Sequence, residues 1–165
     1  MDRRKIEIER MSVRSSRSFD AVVASLKAAI GNPDMAKLSK VIENAANFSE
    51  LDTAVRQSLG KTELMLFMQL DAGAVLRKES GRDAPKIMRF LIGNPLIMKE
   101  MAKHVADVAS YAPVTVLAYE RSDGVHLCYD TMASLLRPYA NAEALAIARN
   151  LDAKIENLLH EAAGS

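Results

Sequence analysis

The chain has 165 residues, a size that suits one domain. Apolar residues make up 49% of it, and 22 Lys and Arg nearly balance 21 Asp and Glu, leaving a net charge of +1. That balance lacks the basic excess of a nucleic-acid binder. The one cysteine, Cys128, excludes an intrachain disulfide. No apolar run approaches the roughly 20 residues that span a bilayer.

A lone cysteine fits a reducing compartment, and the N-terminus lacks the apolar stretch of a signal peptide, so a bacterial-type cytoplasmic location is expected. The basic residues Arg3, Arg4 and Lys5 are followed at once by Glu7 and Glu9, which marks a solvated strand start rather than a phosphate-binding arm.

In chain order, residues 4–14 read as a strand. Ile6 and Ile8 alternate with charged residues, and the shift of phase to Met11 and Val13 suggests a bulge near Arg10. Residues 19–30 carry a helical stripe of Phe19, Val22, Val23, Leu26 and Ile30, with Ser18 as N-cap and Gly31 as the stop. Residues 34–46 predict a second helix. Residues 50–59 predict a third, with a capping box of Ser49 and Asp52 and an end at Gly60. The apolar runs Leu64–Leu70 and Ile87–Ile92 read as central strands covered on both faces, joined by a polar loop over 77–83.

Asn94-Pro95 opens a helix bearing Leu96, Ile97, Met101 and Val105. Val114–Glu120 and Val125–Tyr129 form a hairpin through Ser122-Asp123-Gly124. A helical turn over 131–136 and a long helix over 141–162 close the chain. Sequential antiparallel strands with grouped helices give an α+β class: a two-layer antiparallel sheet backed by helices, in a single domain over 1–165. The direct hairpin argues against a doubly wound fold.

Six residues stand out as candidate ligand contacts. Gly93 and Asn94 lie at a strand-to-helix turn, where free N–H groups can hold an anion, although a simple turn explains them as well. Arg89 interrupts an apolar strand, and a guanidinium there needs a carboxylate, a ligand anion or an open edge. Asp71, Glu120 and Asp130 are its candidate partners. Tyr129 ends an apolar strand and suits a pocket or an interface, with core packing as the plainer account.

Met98, Met101 and His104, with Cys128, have the composition of a soft-metal site, but nine methionines are more simply core filler, so no metal or cofactor is expected. Cys128 has no nearby helix start to lower its pKa and is not expected to be a nucleophile. No nucleophile–base pair is legible, so no catalytic residue is assigned.

Several segments, in order, carry a resemblance. They are Ser15 to Leu26, Arg89-Phe90-Leu91-Ile92-Gly93-Asn94-Pro95, Ala112 through Glu120, Asp123-Gly124-Val125 and Cys128-Tyr129-Asp130. Together they resemble the bacterial and archaeal family domain of unknown function 302. The resemblance implies a fold similar to the TATA-binding protein, an antiparallel sheet backed by helices, association as dimers and no established activity. The chain departs from the family pattern at Ala72, Tyr111 and Thr115, where many members carry a histidine, a polar or aspartate residue and an arginine. Against that pattern, residues 32–61 look like a helical insertion.

Three functional readings follow. The first is a non-enzymatic homodimer that binds a small molecule between sheet and helices, with Arg89, Gly93, Asn94, Asp71, Tyr129 and Asp130 converging on a concave pocket. The second is a protein-interaction or assembly module built on the helices at 34–60 and 141–162. The third is a hydrolase or isomerase using Asp71 or Asp130 with Tyr129, which would show itself as a carboxylate of raised pKa in a cleft.

Overall fold

The computed structural model describes residue 3 and residues 5–165. Five strands form one antiparallel sheet in the order β1-β5-β4-β3-β2: β1 (Arg10–Ser15), β2 (Met65–Asp71), β3 (Ile87–Gly93), β4 (Val114–Arg121) and β5 (Gly124–Asp130). The helices are α1 (Phe19–Ala29), α2 (Met35–Asn44), α3 (Phe48–Gln57), α4 (Ala74–Ser80), α5 (Pro95–Ala102), α6 (Met132–Leu136) and α7 (Ala142–Ala163). A two-layer α+β architecture is therefore what the chain forms.

Antiparallel sheets can keep one face dry and leave the other wet, and this one does. Phe90 and Ile92 of β3, Val116 and Ala118 of β4, and Leu127 of β5 are wholly buried. They meet Leu26 of α1, Met101 of α5 and Ile155 and Leu158 of α7 in one cluster. The facing positions Arg89, Leu117, Cys128 and Ser12 pair across β3, β4, β5 and β1 as one row on the other side, which carries no helix layer. The pair α2–α3 lies beside α5 and the start of β2, around a small satellite cluster of Leu38, Val55 and Met65.

Most helix signals act as expected. Ser18 caps α1 by accepting from Ala21 N–H, and Asn94 caps α5 ahead of Pro95. Four expectations are corrected.

The first strand begins at Arg10. Residues 5–9 lie outside the sheet and Ile8 is exposed, so the change of phase at Met11 marks the strand's true start, while Arg4 falls outside the described residues. The cap of α3 is Asn47, which accepts from Glu50 N–H while Glu50 reaches back to Ala46 N–H, two residues ahead of the Ser49–Asp52 pair. Residues 77–80 of the loop expected over 77–83 belong instead to α4 (Ala74–Ser80). Neither apolar strand is covered on both faces: β2 is an edge strand with Met68 and Leu70 exposed, and β3, though central, leaves Arg89 exposed on its uncovered side.

Gly31 directly follows the C-cap of α1, as expected, and Gly60 lies two residues past that of α3; both also serve a close approach. A Cβ on Gly31 would sit 1.9 Å from the Ser58 carbonyl oxygen, and one on Gly60 would sit 2.3 Å from the Ile30 carbonyl carbon. This crossing lets Gly31 bridge Met65 and tie the α1 end to β2. In the hairpin, Gly124 has φ 135°, a region that favours glycine, and a Cβ there would lie 2.6 Å from Ser15 O.

Candidate functional site

Pleating places alternate residues of four strands on the open face, where they border a cavity of about 390 Å³. Leu117 and Thr115 of β4 and Cys128 of β5 are among its lining, with Tyr111 and Leu135 at one end. Arg10, Asp130 and Arg89 supply its charge. Asp130 takes a two-pronged ion pair from Arg10, with Nε 2.6 Å and Nη2 2.8 Å from its two oxygens. That carboxylate raises the Arg10 pKa further above its ordinary value, chiefly by hydrogen bonding.

Arg89 is bound differently. Its Nη2 donates to Thr115 Oγ1 at 3.1 Å, and among the described residues it makes no ion pair. Burial pushes the Cys128 thiol pKa up, so the thiol stays neutral on the cavity wall.

A second cavity of about 160 Å³ lies on the covered side, at the strand-to-helix turn. It is lined by Gly93 and Asn94 with Phe67, Met98, Met101, Pro113 and others, and is almost wholly apolar. Three of the first four positions of α5 offer no free N–H. Pro95 has none, Leu96 N–H donates to Asn94 Oδ1 at 2.9 Å, and Met98 N–H donates to the Asn94 carbonyl. The Asn94 amide donates to Glu63 O at 3.0 Å.

The six sequence candidates therefore fall into three places. Arg89, Asp130 and Tyr129 border the open-face cavity, although Tyr129 directs its hydroxyl to the covered side. Gly93 and Asn94 border the apolar cavity. Asp71 borders neither: it pairs with Arg77, whose hydrogen bond lowers its pKa. Met98 and Met101 turn to the apolar cavity while His104 is exposed, and among the described residues no group of three His, Cys, Asp or Glu could hold a metal ion.

Sequence reasoning missed Asp152. It sits on α7, is 6% exposed, and accepts from Tyr129 Oη at 2.6 Å, Met132 N at 2.8 Å and Ala133 N at 3.0 Å. It thus caps α6 from another helix. Desolvation raises its pKa in spite of these donors. The same burial, with Asp152 beside it, raises that of Tyr129. The available signal was an acid within an apolar stripe, between Leu151 and Ile155. Asp152 is the one described carboxylate with a raised pKa, and its donors, two from α6 and one from Tyr129 of β5, tie it to holding α6 against the sheet.

Fold and site define a class: an α+β protein with a helix-covered antiparallel sheet and an arginine-bearing cavity on the uncovered face. The chain belongs to the family Domain of unknown function DUF302, whose sequence model matches residues 39–162. Among solved structures it is similar to the crystal structure of an uncharacterized conserved protein DUF302 from Bacillus stearothermophilus. The two share 11% identity at a TM-score of 0.63, over 93% of this chain and 97% of that one. At that identity the likeness shows the fold alone. The chain matches no curated protein.

Proposed function

We propose that the protein is a non-enzymatic homodimer of the cytoplasm that binds a small ligand on its open sheet face. One observation carries the reading: a cavity spanning four strands, bordered by an arginine whose hydrogen bond goes only to a neutral threonine. Binding sites are typically concave, mostly apolar and equipped with a few polar groups, and this cavity has that character.

A second copy is supported by apolar side chains left in water at the β2 end, where Met68, Leu70, Leu76 and Val75 are 42–75% exposed. The assembly-module reading has less support at the C-terminus, because α7 uses its stripe in the protein's own core.

Native mass spectrometry under gentle and then denaturing conditions tests the proposal. The expected result is a dimer carrying extra mass that denaturation removes. A bare monomer at micromolar concentration would overturn it.

A further inference from the structure

The charges around the open-face cavity do not balance. Arg10 and Asp130 neutralise each other, which leaves the Arg89 guanidinium as the uncompensated charge. A guanidinium has five N–H donors in a planar fork, and one is used here. The remainder fit a planar carboxylate through two parallel hydrogen bonds.

A phosphate presents the same kind of oxygen but brings further charge. No second free cation borders the cavity among the described residues, and the Asp130 carboxylate repels a dianion. The other walls, Leu117, Val114 and Leu135, offer apolar contact and no charge. At roughly 30 Å³ for a water-sized atom group, 390 Å³ admits about a dozen non-hydrogen atoms.

From this geometry we infer that the ligand is a small monocarboxylate with an apolar body, its carboxylate held by Arg89 and its body against Leu117 and Leu135. The inference rests on the ligand-binding reading above and names the chemical class.

Cys128 is the protein's one cysteine and lines the cavity, so its reaction with N-ethylmaleimide, followed by intact mass, reports occupancy. Benzoate, benzamide and inorganic phosphate serve as probes, with calorimetry in parallel. Benzoate is expected to slow the thiol reaction, while benzamide and phosphate leave it unchanged. Arg89→Gln should weaken benzoate binding roughly tenfold or more, since it removes a charge-assisted pair, and Arg89→Lys should fall between. Arg89 is exposed, so an unchanged thermal melt will show that both variants remain folded.

Equal protection by benzamide overturns the carboxylate assignment and leaves the binding reading standing. Equal protection by phosphate, lost in Arg89→Gln, replaces carboxylate by inorganic anion. Silence from all three probes by both methods also overturns the assignment, and the binding reading is then decided by the mass that co-purifies.

Discussion

Phe90 and Val116 have no contact with water, while Arg89, Thr115 and Leu117, one residue away on the same strands, keep part of their surface exposed. The backbone is common to both faces; the difference is that α1, α5 and α7 pack against only one of them. The covered face carries the fold's stability, because burial of apolar area is the largest favourable contribution. The open face is free to differ, and it carries in Arg89 a charge, unpaired among the described residues, that a core would not tolerate.

Truncation on the two faces is the strongest way to break that comparison. Phe90→Ala should cost about 3–5 kcal/mol by urea unfolding, through lost transfer energy and a cavity. Leu117→Ala should cost about 1 kcal/mol or less. Equal costs would mean that the open face is covered in solution.

Asp152 tests whether a polar group can matter as much on the covered side. Asp152→Ala should cost about 2–3 kcal/mol, because it leaves the buried Tyr129 O–H and the Ala133 N–H without an acceptor, while Met132 N–H keeps only the Tyr129 Oη at 3.0 Å. Its folded pKa lies above the ordinary 3.8, so the folded state holds this proton more tightly than the unfolded one. The stability so gained is full below that value and is lost as pH rises through the folded pKa. Asp152→Asn should remove this fall, seen as a difference between the two proteins' stability–pH curves above about pH 4.

On the open face, Cys128 should react several-fold more slowly with a neutral thiol reagent at pH 8 than free cysteine does, because its thiolate is disfavoured. A rate equal to free cysteine would contradict its burial. The smallest effect should be that of Arg10→Gln. The Arg10–Asp130 pair is solvent-exposed, with Arg10 61% accessible, so screening limits its worth to about 0.5 kcal/mol despite its geometry.

Features set by neighbours along the chain are legible in the amino-acid sequence. Ser18 and Asn94-Pro95 mark helix starts because their capping chemistry is local. Gly124 marks the hairpin because its φ is local as well. Arg89 stands out because an arginine in an apolar strand is anomalous at any position in a sheet. Asp152 does not stand out, because its partners, Tyr129, Met132 and Ala133, lie 19–23 residues away. The edge position of β2 is equally hidden, because an apolar run looks the same whether it lies at the centre of a sheet or at an edge with its side chains in water.

By itself, then, the sequence determined the α+β class, the order along the chain of the strands and of every α-helix but α4, and most of their ends, since period, caps and turns depend on neighbours along the chain. Only the tertiary structure decided which face of the sheet stays open, that Arg89 and Asp130 border one cavity while Asn94 borders another, and that Asp152 holds α6. Those outcomes depend on which distant segments pack together, and packing is selected by total burial and hydrogen bonding rather than by any local run of residues.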